Sequence, residues 1–125
     1  MLNQTLLVGR MVSKPELKQT EAGKNYASIT IAVPKPYTNE NGEHEANFID
    51  LTAWNERAVK KSDHLLKGDL VLIEASIQTR LVEKDGQKTK YTDIVVDNID
   101  YLSHSKNQDK TILNDEVEEE IDKWL

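Results

Sequence analysis

The sequence predicts an all-β fold: a five-stranded Greek-key barrel with one short helix between its third and fourth strands, followed by an acidic C-terminal tail. Three observations predict it. Apolar and polar residues alternate over five separate stretches, the repeat changes to three and four once among them, and Asn41-Gly42 and Asp85-Gly86 supply two tight-turn signals.

The first strand lies in LNQTLLVGRMV, where Leu6 and Val8 alternate with Leu7 and Gly9 interrupts before Arg10. A glycine inside a strand marks a bend, a bulge or a close backbone approach. The second is NYASITIAV, with Ile29, Ile31 and Val33 on one face and Ser28, Thr30 and Ala32 on the other, the pattern of a half-buried strand. It is expected to end at PKPYTNENGEHE, where Pro34 and Pro36 cannot donate to a ladder. The third, ANFIDLTAWN, sets Ile49, Leu51 and Ala53 toward a core and Phe48, Asp50, Thr52 and Trp54 away from it. Ala58, Val59, Ser62, Leu65 and Leu66 then recur at helical spacing among Arg57, Lys60, Lys61 and Asp63, so one amphipathic helix is expected, closed by Gly68. LVLIEASIQTRLV puts Val71, Ile73, Ala75 and Ile77 on one face, and after the turn in KDGQK the stretch KYTDIVVDNIDYL is the last strand. Beyond Leu102 the polar, aperiodic SHSKNQDKT reads as a linker, dividing the chain into a barrel domain, 1–103, and a tail, 104–125. Three strands, a helix and two strands is the order of an OB barrel, although a small sandwich or an SH3-like barrel with an inserted helix shares it.

At 125 residues and 38% hydrophobic content the chain suits one domain with a modest core. With no cysteine, disulfides and thiolate metal sites are excluded, in keeping with a reducing compartment. No apolar run is long enough for a bilayer and the N-terminus lacks the parts of a secretion signal, so a cytoplasmic protein without a membrane partner is expected. The net charge of −6 argues against a nucleic-acid partner until it is divided: residues 104–125 carry −4 and the other 103 only −2.

Two large rings on the polar face of the third strand need a reason. Burial there would desolvate Asp50, which lies between them. An oligomer interface accounts for exposed aromatics, and a stacking platform for unpaired bases accounts for them better, because cations accompany the rings. Tyr37 adjoins Lys35 at the start of the loop between strands two and three; Arg10 follows Gly9, Arg57 follows Trp54, and Arg80, Lys84, Lys88 and Lys90 lie on the arms of the second hairpin. Catalysis is not expected: nucleophile-elbow, phosphate-loop and dinucleotide signatures are missing, and His44, His64 and His104 lack metal-ligand spacing, so no metal or cofactor is implied.

The words MLNQTLLVGR, KPELK, SITIAVPKPYTNENGEHEANFIDLTAWNERA, LLKGDLVLIEASIQTR and YTDIVVDNIDYL, in that order, resemble the bacterial single-stranded-DNA-binding protein family, including the versions carried by phages and mobile elements. The resemblance spans residues 1 to about 103. It implies an OB fold that assembles as a homotetramer and wraps single-stranded DNA without sequence preference, protecting it during replication, recombination and repair. By position, Tyr37, Phe48 and Trp54 fall where the family places its base-stacking aromatics, with Arg10, Lys35 and Arg80 near the DNA path. Leu81 and Val82 stand where the family commonly has an aromatic, and Gln19 where a tyrosine is frequent. The family's acidic tail ends in hydrophobic residues that dock into replication and repair enzymes; here Trp124 and Leu125 follow the acidic run, although Lys123 interrupts it. Leu113, Val117, Ile121 and Leu125 recur every four residues behind Asn114 or Asp115 as a cap, the pattern of an amphipathic helix as against a flexible tip; docking on a partner through Ile121, Trp124 and Leu125 is favoured over packing on its own barrel or a neighbouring subunit. The rival readings are an RNA-binding OB domain and a protein-interaction module whose exposed aromatics bury against a partner.

Overall fold

The alternating stretches become β1 (Thr5–Met11), β2 (Glu16–Gln19), β3 (Asn25–Thr38), β4 (His44–Ala53), β5 (Leu70–Lys84) and β6 (Gln87–Ser103), with α1 (Glu56–Ser62) between β4 and β5. These elements come from a computed structural model, which describes residues 1–104. The strands form one sheet in the order β1-β5-β6-β4-β3-β2, and a further β1–β3 pairing closes the first five into a ring. Closure through β1–β3 makes this the expected OB barrel and leaves no room for a two-sheet sandwich.

Side-chain parity fills the barrel. Met11, Ala27, Ile29, Ile31, Leu51, Ala53, Val71, Ile73, Ala75, Val96 and Ile99 point inward and are almost wholly buried, with Ala58 and Leu65 closing one end. Gly9 shows which of its three expected roles applies. A Cβ there would stand 2.8 Å from the carbonyl oxygen of Ala32 and 3.0 Å from Cγ2 of Val33, so the glycine permits β1 to cross β3 closely enough to shut the ring.

α1 starts where Asn55 accepts the Ala58 N–H on its side-chain oxygen at 2.7 Å. The same side chain donates to the carbonyls of Val96 and Asp97, both at 3.2 Å, which ties the helix to β6. One turn on, Lys60 meets Glu56 at 2.9 Å and, by hydrogen bond and charge, holds that carboxyl below its ordinary range. After the helix, the fully buried carboxylate of Asp69 accepts the Leu66 N–H at 2.9 Å and faces Nδ1 of His104 at 3.2 Å.

Four details depart from expectation. β2 was not foreseen: its residues, ELKQ, are all exposed and show no alternation, and they form a strand because β3 offers them an edge from Asn25 to Ser28. The prolines do not end β3, which runs on to Thr38. They do break its ladder: the register shifts between Pro34 and Thr38 and pairing resumes at Thr38↔His44. The helix ends at Ser62 and not at Gly68; Asp63 caps it, and Leu65 and Leu66 belong to the turns that follow. Ile77 shares the core parity of β5 yet is 47% exposed, because the strand has already left the barrel.

The hairpins follow their turn chemistry. Asp85 and Gly86 both adopt positive φ, 53° and 79°, between the paired Lys84 and Gln87, which is a type I′ turn. In the β3–β4 loop Gly42 takes φ 75°, while the side chain of Asn39 accepts the N–H groups of Asn41 and Glu43, each at 2.9 Å.

Candidate nucleic-acid interface

Antiparallel register decides which outward side chains stand together. Ala27↔Ala53 is the last paired step at one end of β3–β4, so Tyr26 and Trp54 project side by side just beyond it. Their rings stack with centroids 4.5 Å apart and 28° between planes, and Nζ of Lys24 lies 5.3 Å from the Trp54 centroid. Both rings are half-buried. Lys24, Asn25, Trp54, Glu56, Val59 and Lys60 line an open cavity of about 470 Å³ beside the indole.

The same face continues along the strands. Ser28 pairs with Thr52, then Thr30 with Asp50, where the Thr30 hydroxyl donates to the carboxylate at 2.8 Å. Next is Ala32 with Phe48, whose ring is 43% exposed. On the far side of β3, Ala32 also pairs with Arg10, so Arg10, Ala32 and Phe48 make one row across three strands. The expectation that Phe48 and Trp54 stand away from the core, with Asp50 in solvent between them, is met. Tyr26 was missed. Its signal was available, since it shares the parity of Ser28 and Thr30 in NYASITIAV and so belongs to the polar face.

The Single-strand binding protein family model matches residues 2–102. A single-stranded DNA-binding protein of Staphylococcus aureus (strain MRSA252) is 41% identical over 110 residues, which cover 87% of this chain and 70% of that one. The chain belongs to the single-strand binding protein family. Single-stranded DNA-binding protein 2 of Listeria monocytogenes serovar 1/2a is 36% identical over 108 residues, 86% of this chain and 68% of the relative. Among solved structures, the wild-type single-stranded DNA binding protein from Thermus aquaticus superposes with a TM-score of 0.67 at 27% identity, over 82% of this chain but only 50% of that one. A Plasmodium falciparum protein of the same kind, solved in complex with single-stranded DNA, has the same fold, with a TM-score of 0.66 at 22% identity over 82% of this chain and 96% of that chain.

In this family member the cations picked out by sequence have mixed placements. Arg10 is half-buried and its Nη1 donates to the carbonyl of Gly68 at 3.0 Å, which joins the row through Phe48 to the loop before β5. Lys35 pairs with Glu45 at 3.3 Å, and Tyr37 is 63% exposed on the part of β3 that outruns the barrel. Arg57 is exposed on α1, and no ion pair among the described residues engages it. The second hairpin separates two residues expected together: Arg80 lies opposite Tyr91, whereas Lys90 lies opposite Leu81, so they occupy opposite faces of the ribbon. Lys88, two residues from Lys90, shares its face, and Lys84 shares that of Arg80. Ile121, Trp124 and Leu125 lie outside the described residues.

Proposed function

We infer that the protein binds single-stranded DNA without regard to sequence and performs no chemistry on it, protecting the strand in replication, recombination and repair. The observation that carries the inference is the outward face of β3 and β4 in a member of this family. Tyr26, Trp54 and Phe48 present ring surface there, with Lys24 and Arg10 at the two ends of the row. Every base has a π-face, so a ring stacks on any of them at about 1–3 kcal/mol per base, and phosphate needs only nearby cations. Lys35 and Arg80 already hold a carboxylate at an exposed site. Such pairs are weak and exchange for phosphate at little cost. Tyr37, Lys35, Arg57, Arg80 and Lys90 are proposed to follow the strand where it leaves this face.

Assembly as a homotetramer belongs to the same proposal. Over residues 5–9, β1 pairs with β5 alone, since its pairing to β3 is confined to Arg10 and Met11, and its outward Leu6 and Val8 are 60% and 48% exposed. An unpaired edge beside exposed aliphatic side chains suits a second copy of the chain. The acidic tail is proposed to recruit replication and recombination enzymes through Ile121, Trp124 and Leu125, and the protein to act in the cytoplasm.

Titration with an unstructured oligonucleotide at several salt concentrations tests the binding. In a Trp124→Phe background the remaining indole is Trp54, and stacking quenches it strongly, with affinity falling as salt rises. A module that buries these rings against a protein shows no quench, and an RNA-binding domain prefers the ribo-oligomer.

A further inference from the structure

Beyond the barrel, β5 and β6 continue as a two-stranded ribbon to the turn at Asp85 and Gly86. On this ribbon the guanidinium carbon of Arg80 lies 4.7 Å from the ring centroid of Tyr91. The pair stands directly across the ladder, and Nε of Arg80 donates to Oδ2 of Asp93 at 2.7 Å. That bond holds the guanidinium over the ring and uses only Nε, and no hydrogen bond among the described residues engages the two terminal nitrogens. Tyr91 is 44% exposed. A structural ion pair alone would not need an aromatic beside it, and a packing role for Tyr91 would bury it.

Parity shows which surface this stack belongs to. Val95 and Val96 pair in parallel with Thr52 and Ala53, and the β5–β6 register runs without a shift from Ala75↔Val96 to Lys84↔Gln87. Val96 and Ala53 point inward, so Val95, Asp93 and Tyr91 share the outward face with Thr52, Asp50 and Phe48. Tyr91 precedes Val95 by four residues, as Phe48 precedes Thr52, so each ring lies about 13 Å along its own strand from the β4–β6 junction, beyond the two residue pairs where those strands meet.

We propose that Tyr91 and Arg80 form a further stacking site for one nucleobase on the ribbon, with the terminal nitrogens of Arg80 taking the adjoining phosphate. This rests on the single-stranded DNA reading above. A guanidinium held over a ring makes a preformed, weakly hydrated stacking element, so little side-chain freedom is lost when a base joins it. The site extends the ring-bearing face from the barrel onto the hairpin, and lengthens the strand that one chain covers.

The test uses the full chain and oligothymidylates long enough to span barrel and ribbon. Tyr91→Val keeps a strand-forming residue and removes the ring; affinity falls about 5- to 100-fold, and Tyr91→Phe restores most of it. Ultraviolet crosslinking to a 5-iododeoxyuridine oligonucleotide places an adduct on Tyr91. If the wild type binds and Trp54→Ala weakens it, yet Tyr91→Val binds as the wild type does and no adduct maps to Tyr91, the ribbon site is wrong while the barrel reading stands. If the wild type does not bind the oligonucleotide, both readings fall together.

Discussion

Replacing Trp54 with alanine separates two roles that its position combines. In the folded protein the indole stacks on Tyr26 at 4.5 Å and carries Lys24 at 5.3 Å. A ring pair is worth about 0.5–1.5 kcal/mol beyond its burial and an exposed cation on a ring about 0.5–1 kcal/mol. Trp54→Ala therefore lowers stability by about 1–2.5 kcal/mol, several degrees of melting temperature for a domain of this size. Binding loses more specifically. One base no longer stacks, at about 1–3 kcal/mol, so the dissociation constant rises about 5- to 150-fold at fixed salt. Tyr26 adds a diagnostic, because the two rings form one stack. Tyr26→Ala should weaken binding less than Trp54→Ala, and the double variant should lose less than the sum of the two. Fluorescence anisotropy with a labelled oligothymidylate, corrected for the folded fraction, measures all three. The reasoning is refuted if Trp54→Ala melts several degrees lower while each folded molecule binds as tightly as before, since Trp54 would then be only a packing residue.

Gly9→Ala should cost about 1–3 kcal/mol, seen as a lower denaturant midpoint, because its Cβ meets the Ala32 carbonyl at 2.8 Å; an unchanged midpoint means the strands part without strain. Light scattering should report several times the 14.3 kDa of one chain, and Leu6→Asp should bring the mass down toward a single copy without unfolding the barrel. Deleting residues 113–125 should leave oligonucleotide affinity equal or slightly higher, since a competing polyanion is gone, while capture of replication or recombination enzymes disappears; loss of the assembly or of the melting temperature would assign the segment to structure.

The barrel was legible because its strands are half-buried and each inward residue repeats at period two, from Ile29 to Ile73. The outward rings were legible by the same rule, which found Phe48 and Trp54 and, applied once more, would have found Tyr26. What the rule cannot see is partnership. β2 carries no alternation, and only the free edge of β3 makes it a strand. Tyr91 looked like part of a closing strand until register set it against Arg80, and that register depends on a two-residue turn eleven residues from Val96. Grouping Arg80 with Lys90 failed for a related reason: nearness in a hairpin says nothing of face until the pairing is counted. The helix was drawn too long because Leu65 keeps helical spacing while lying in a turn that caps the barrel.

The ring is fastened unevenly, and this shapes how the molecule breathes. β1 grips β3 through two residue pairs, Arg10↔Ala32 and Met11↔Ile31, whereas its ladder with β5 runs from Thr5 to Arg10. Partial opening begins where few hydrogen bonds are lost, so opening of this seam, like that of the equally short β4–β6 seam at Thr52↔Val95 and Ala53↔Val96, is a cheap excursion from the native state while β1, β5 and β6 stay zipped. Native-state hydrogen exchange would reveal it as early deuteration of the Val12 amide, which the Thr30 carbonyl holds at 3.1 Å. Arg10 and Phe48 lie on either side of Ala32, so a strand that engages both bridges the latch and slows its exchange. Occupancy of the outer surface would then be readable from an amide proton within the barrel wall.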